Sequence, residues 1–286
     1  MTASQFLTQD MEFSPQPLTD DARWALVTGA SAGIGRVFCQ QLAAQGWHLV
    51  LVARRADRLH ALAADLKKRH ETACLVLPAD LADPGASAHI ADELARRDIF
   101  VEFLVNNAGY GQPGYFQEVP WARHRDFVQV MVLAVCELTW RLLPEMQQRK
   151  RGFIINVASV AGLVSGSKAH TLYGAAKAFL INFSESLALE NESRGVRVSV
   201  LCPGFTHSEF HDVSKTRDLV NRLPSFMWLD TDAVVAYGLD SVTRKRPRIV
   251  AVPGLFYRFL VWANHAVPGL GLAFSRRLSR RFRKLD

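Results

Sequence analysis

Tyr173 and Lys177 stand four residues apart at the start of a predicted helix, so they share one face. A tyrosine with an unperturbed pKa of about 10 is a poor acid or base at neutral pH. A neighbouring ammonium favours the phenolate, lowers that pKa and makes the phenol usable for proton transfer. Ser159 precedes Tyr173 by fourteen residues and ends a predicted strand, where its hydroxyl could hold a carbonyl oxygen beside the phenol. A YxxxK pair alone is common by chance; placed after a serine-ended strand it is specific.

A second group of residues suits phosphate. Thr28-Gly29-Ala30-Ser31-Ala32-Gly33-Ile34-Gly35 follows the first apolar run and opens a helical stretch. Glycines let the backbone turn tightly and approach a pyrophosphate, and the next helix offers free N–H groups and its positive dipole end. Gly29, Ser31, Gly33, Ile34 and Gly35 are therefore candidate cofactor contacts, in a GxxxGxG spacing. In dinucleotide folds an acid at the end of the second strand bonds the ribose hydroxyls, whereas a base accommodates a 2′-phosphate. Here that strand ends Val52-Ala53-Arg54-Arg55, with no acid. Guanidinium pairs well with phosphate, so Arg54 points to NADP(H) rather than NAD(H). Arg55 reads either as a second phosphate contact or as a solvated surface residue.

These groups need a frame. Apolar runs at 24–28, 47–53, 73–79, 101–107, 152–159, 196–203 and 248–253 alternate with helical stretches at 34–45, 57–70, 84–97, 125–150 and 171–193. Strands that are apolar throughout must be covered on both faces. The alternation predicts an α/β fold with a doubly wound parallel sheet of about seven strands and helices on both faces. No repeat or linker divides the chain. The expected organisation is a polar N-terminal extension over 1–22, one domain over 23–254 and an apolar, basic C-terminal extension over 255–286. An insert over 204–230, with Phe205, Phe210, Phe226, Met227 and Trp228, suits a lid over an apolar substrate.

Composition narrows the function. Apolar residues make up 49% of the 286 and charged residues 21%, enough for a full core. Four scattered cysteines without a CxxC suit reduced thiols in the cytoplasm and predict neither a disulfide framework nor a zinc site. The net charge is +7, of which residues 255–286 carry +6, so the body is nearly neutral and no nucleic-acid face is expected. The N-terminus has no apolar run resembling a signal peptide. The tail joins Leu255, Phe256, Phe259, Leu260, Trp262 and Phe274 to a basic end. It reads as a helix packed on the lid or on a neighbouring subunit, or as a peripheral contact with an anionic membrane at its inner face.

Together these motifs resemble the short-chain dehydrogenase/reductase family over roughly 24–253, with the VARRADRL stretch and basic tail most similar to DltE-like reductases of uncertain substrate. The resemblance implies a Rossmann-type fold, a nicotinamide cofactor, a small carbonyl or alcohol substrate and a homo-oligomer, dimer or tetramer. It places Ser159, Tyr173 and Lys177 on the catalytic serine, tyrosine and lysine, with Tyr173 and Lys177 also touching cofactor. Asp80 resembles the adenine-contacting acid. Asn106-Asn107-Ala108-Gly109 resembles the NNAG motif, which assigns Asn107, Ala108 and Gly109 to the cofactor site. Pro203-Gly204 and Thr206 resemble the segment that clasps the nicotinamide end.

Two positions depart from the pattern. The serine-to-tyrosine gap is one residue longer than expected, which predicts a reshaped substrate loop. Thirteen residues before Pro144, where the family often carries an asparagine in its proton relay, stands Met131. A thioether sulfur is only a weak acceptor and cannot hold a relay water as an amide does. Either Met131 packs the helix while backbone carbonyls and water carry the relay, or catalysis is slowed and the chain acts as a non-catalytic dinucleotide-binding scaffold. His170, one turn before Tyr173, reads as a polar loop residue. His207 and His211 are four apart beside Glu209, but no third ligand has suitable spacing nearby, and no metal is expected. The expected activity is NADP(H)-dependent interconversion of a carbonyl and an alcohol on an apolar or lipid-like substrate.

Overall fold

The computed structural model describes residues 22–210 and 223–267, together with 269, 271–273 and 276. The N-terminal extension therefore lies outside the described residues apart from Ala22. The middle of the 204–230 insert, with His211, and most of the basic end lie outside them too.

Seven parallel strands form one sheet in the order β3-β2-β1-β4-β5-β6-β7. They are β1 (Trp24–Thr28), β2 (His48–Ala53), β3 (Cys74–Pro78), β4 (Val101–Asn106), β5 (Gly152–Val157), β6 (Val196–Leu201) and β7 (Val250–Ala251). The expected last strand, 248–253, shrinks to two residues, because Pro253 and Gly254 end the pairing with β6.

Side chains alternate across the sheet. Ala25 and Val27 of β1 face one layer, made by α1 (Gly33–Ala44), α2 (Ala56–His70) and α7 (Thr231–Thr243), which contribute Phe38, Leu59 and Val235. Trp24 and Leu26 face the other, made by α3 (Ala86–Arg96), α5 (Ala134–Gln148) and α6 (Thr171–Asn191), which contribute Ile90, Leu138 and Leu187. Strands buried on both faces explain why every apolar run is continuous rather than alternating.

The long helix expected from 125 begins earlier and is not uniform. It comprises α4 (Trp121–Val128), a π-helical turn (Gln129–Leu133) and α5. By length and apolarity Trp121–Gln148 could cross a membrane, but Phe127, Val130, Met131 and Leu138 are buried inside the domain. The π turn places Met131 toward the centre of the molecule, a distortion frequent at functional sites.

A buried polar chain fixes the sheet to α6. Asn106 Nδ2 donates to Asn156 Oδ1 at 2.9 Å and to Thr139 Oγ1 at 3.1 Å. Asn156 Nδ2 donates to Ser184 Oγ at 2.9 Å, and Ser184 Oγ donates to Leu180 O at 2.6 Å. Buried amides require such partners, and a fully paired chain specifies one arrangement of strand and helix. The helix that carries Tyr173 is thereby held to β4 and β5.

The strand order reverses between β1 and β4. The crevice beyond their carboxyl ends is where open α/β sheets bind ligands.

Candidate active site

The glycine turn joins β1 to α1 at that crevice. Gly29 has φ +68° and Gly33 φ +51°, a left-handed backbone that a side chain disfavours. Gly35 is required by contact: a Cβ there would lie 2.3 Å from Gly29 O and 2.4 Å from Asn107 Nδ2. Asn107 closes the turn from the other side of the crevice. Its Nδ2 donates to Thr28 O at 2.9 Å, while the amides of Asn107 and Ala108 donate to Thr28 Oγ1 at 2.9 and 3.0 Å. The turn is thus cross-linked to the NNAG segment, and the side-chain-free cradle fits a closely approaching pyrophosphate.

Beside it, Arg55 Nη2 donates to Ser31 Oγ at 3.2 Å, so Arg55 is the strand-end arginine that reaches the turn. Arg54 is exposed at the same rim, near Tyr110 and Asp80. Asp80 Oδ1 accepts from the Ala82 amide at 3.1 Å and sits at the end of β3.

Ser159 follows β5. Its Oγ accepts from the Ala161 amide at 3.1 Å and donates to Pro203 O at 3.4 Å, which holds it at the entry of a 3₁₀ turn (Val160–Gly162). Tyr173 lies on the first turn of α6, with its phenol close enough to the Ser159 hydroxyl to feel it. Lys177 is buried one turn on, with Nζ donating to Val157 O at 2.7 Å and lying 5.8 Å from the Tyr173 ring. The three side chains named from the sequence come together.

Their electrostatics differ from the sequence expectation. Burial pushes the Tyr173 phenol up to about 12, and the neighbouring Ser159 hydroxyl offsets this only in part. Burial also pulls Lys177 down to about 8. Desolvation disfavours charge on both groups. The phenol is held neutral, the form that donates a proton.

Met131 occupies the fourth position. Its Sδ would lie 2.9 Å and Lys177 Nζ 3.8 Å from a Cβ on Gly109, so the sulfur packs beside the lysine head. It is 1% exposed and clusters with Phe127 and Ala176, partly covered by Tyr110, Leu172 and Tyr173.

The segment after β6 closes the site. Pro203 O accepts from Ser159 and from the Val160 amide at 3.0 Å. Thr206 is buried and its Oγ1 donates to Gly204 O at 3.1 Å. Phe210 places its ring 5.8 Å from that of Tyr173. His207 stacks on Trp228 at 4.7 Å and takes no catalytic position, and burial lowers the pKa of His170. Among the described residues no three His, Cys, Asp or Glu side chains gather as metal ligands.

Sequence reasoning missed the clasp on this segment. Tyr257 of α8 (Leu255–Ala266) lies directly over Gly204, where a Cβ would meet its ring at 2.0 Å. Its hydroxyl accepts from the Phe205 amide at 3.0 Å and donates to Met227 O. Asn264 on the same helix accepts from the Ser165 amide at 3.3 Å and donates to Leu163 O at 3.4 Å. The first part of the tail thus packs on the segments that flank Ser159 and Thr206. Leu255, Phe259 and Trp262 on its other side are exposed.

The chain as a whole is similar to known proteins. The family model described as short chain dehydrogenase matches residues 23–218. The chain belongs to the short-chain dehydrogenase family. It is 36% identical over 208 residues to a very-long-chain 3-oxoacyl-CoA reductase of Laccaria bicolor, covering 71% of this chain and 61% of that one. It is 32% identical over 184 residues to a 7beta-hydroxysteroid dehydrogenase of Collinsella aerofaciens, covering 64% and 68%. Among solved short-chain dehydrogenases, one from Sphingobium yanoikuyae in complex with NADPH superposes with TM-score 0.75 at 32% identity, over 85% of this chain and 94% of that one. A 7beta-hydroxysteroid dehydrogenase structure gives TM-score 0.77 at 25% identity, over 91% and 96%.

Proposed function

We propose that this short-chain dehydrogenase is an NADP(H)-dependent oxidoreductase that reduces a carbonyl to an alcohol or runs the reverse. The observation that carries this reading is the convergence of Ser159, Tyr173 and the buried Lys177 head, whose Nζ lies 5.8 Å from the Tyr173 ring, next to the glycine cradle. A nicotinamide dinucleotide, when bound, supplies or accepts the hydride. The turn from Gly29 to Gly35, with Ser31 and Ile34, would hold its pyrophosphate. Arg54 and Arg55 would take a 2′-phosphate, and Asp80 the adenine. Asn107, Ala108, Gly109, Pro203, Gly204 and Thr206 would line the nicotinamide end.

The chain's own residues then divide the work. Ser159 positions the substrate oxygen. Tyr173, held neutral, donates its proton to that oxygen during reduction and recovers it through Lys177. Phe210 excludes water above the phenol. Guanidinium groups at the rim and the NADPH complex of the Sphingobium relative support the phosphorylated cofactor.

The substrate is apolar. Phe205, Phe210 and Trp228 line the closing segment, and the relatives named above act on acyl-CoA and hydroxysteroid compounds. Oxidation of NADPH and NADH across aldehydes, diketones, long-chain β-keto-acyl compounds and ketosteroids, with detergent for the longest, tests this. Turnover of the apolar members is expected. Tight NADPH binding with no turnover of any member would favour a dinucleotide-binding scaffold, the reading to which Met131 lends support.

The enzyme is a cytoplasmic homo-oligomer, a dimer or tetramer. The exposed Leu133 and Trp140 along the π turn and α5, with Phe179 and Leu189 on α6, supply an apolar face for a second copy. The exposed side of α8 and the +6 tail suit peripheral contact with anionic lipid. Flotation with anionic vesicles at low salt tests that contact; a protein that stays in the bottom fraction removes it.

A further inference from the structure

Arg58 and Glu209 belong to opposite sides of the cofactor crevice. Arg58 lies on the first turn of α2, whereas Glu209 lies in the segment after β6, 151 residues away. Arg58 Nη1 nevertheless donates to both carboxylate oxygens of Glu209, at 3.0 and 2.8 Å. The same carboxylate lies 3.6 Å from Arg55 Nη1, and Arg55 is the residue that reaches Ser31 in the glycine turn. One acid therefore occupies two guanidinium groups at the place where a 2′-phosphate would be received.

The neighbouring residues bring the segment close. A Cβ on Gly33 would lie 3.1 Å from Ser208 Cβ and 3.9 Å from the Glu209 amide, so the segment rests on the phosphate-binding turn itself. A carboxylate is the nearest chemical analogue of phosphate that a protein carries, and guanidinium forks bind both. All three side chains are partly exposed, so the pairing is weak enough to be exchanged.

We propose that Glu209 is a specificity-determining residue. It holds Arg55 and Arg58 in the cofactor-free protein and yields them to the 2′-phosphate of NADP(H). Arg58 thereby joins the set of phosphate-reading residues. Because the acid must be displaced, it weakens binding of a phosphorylated dinucleotide and leaves an unphosphorylated one nearly untouched. This inference rests on the NADP(H) reading above.

Calorimetric titration of the full chain with NADPH, NADH, 2′,5′-ADP and 5′-AMP tests it. Glu209→Gln should bind NADPH and 2′,5′-ADP about fivefold more tightly, the size expected for freeing a part-exposed ion pair. NADH and 5′-AMP should stay within about twofold, which a general loosening of the segment would not produce. Arg58→Gln should weaken NADPH binding and cancel most of the gain when combined with Glu209→Gln. A Glu209→Gln protein whose NADPH affinity is unchanged or lower overturns the role of Glu209. If the wild type already prefers NADH, the NADP(H) reading fails first, and that is visible before any variant is titrated.

Discussion

Lys177 Nζ donates to the carbonyl of Val157 at 2.7 Å, tying the first turns of α6 to the last residue of β5. The lysine head is thereby fixed beneath Tyr173 by a backbone group that cannot move independently of the sheet. Its position is set before any ligand arrives, a preorganisation that costs nothing at the moment of reaction.

Tyr173→Phe removes the hydroxyl from the ring beside Ser159 and Lys177. Turnover should fall by about a thousandfold, within the range of general acid catalysis. The dissociation constant for NADPH should stay within about threefold. Steady-state rates with fluorescence titration check both, and retained turnover would refute the assignment.

Gly35→Ala would drive a methyl group to 2.3 Å from Gly29 O. Backbone at that distance cannot give way, so the turn must open. Cofactor affinity should drop by more than about tenfold, with a lower melting temperature. A variant that binds NADPH normally would show that the turn is not the cradle.

Burial lowers Lys177 to about 8, against an ordinary value of 10.5. Between those values the unfolded chain holds a proton that the folded one has released. Stability therefore rises with pH through that window, by up to about 1.4 kcal/mol per pH unit. Denaturant unfolding of wild type and Lys177→Met from pH 7.5 to 9.5 checks it. The wild type should gain on the variant as pH rises. Tyr173, whose pKa is raised by burial, is present in both proteins, and a Cys202→Ala background removes the thiol that interacts with Lys177. A difference that is flat or falls with pH rejects the shift.

Met131→Asn replaces a packed thioether with an amide beside Lys177. If backbone carbonyls and water already carry the relay, the rate should stay within about threefold while the smaller side chain costs about 2 kcal/mol of stability. A gain of about tenfold, or 1.4 kcal/mol in the barrier, would instead show that the native relay is impaired.

Tyr257→Phe keeps the ring over Gly204 but removes the hydroxyl that accepts from the Phe205 amide and donates to Met227 O. Loss of the two bonds costs about 1–3 kcal/mol. The Michaelis constant for substrate should rise more than kcat falls, because the clasp shapes the site without touching the reacting proton. An unchanged Michaelis constant would remove Tyr257 from the site.

Much of this was legible in the chain. Continuous apolar runs announced strands covered on both faces, and the glycine spacing after the first run announced the cradle. Ser159, Tyr173 and Lys177 were legible because their roles depend on local spacing along one strand end and one helix. Tyr257 over Gly204, and Glu209 against Arg58, were not. Each pair meets only when distant segments fold together, and neither partner has a distinctive local pattern. The rise of the Tyr173 pKa was also hidden, because spacing reveals a neighbouring charge but not the depth of burial that opposes it. The π turn at Gln129–Leu133 left no sign beyond an apolar helical stretch.

The helix that begins at Leu255 has a consequence for how such a protein diversifies. Ser159, Tyr173 and Lys177 stand at the end of β5 and on α6, while α8 clamps the segments around them through Tyr257 and Asn264. Exchange of that helix would redraw the clamps and leave the three side chains on their own elements. A protein built this way can reshape the surroundings of its reacting groups by rewriting one helix that carries none of them.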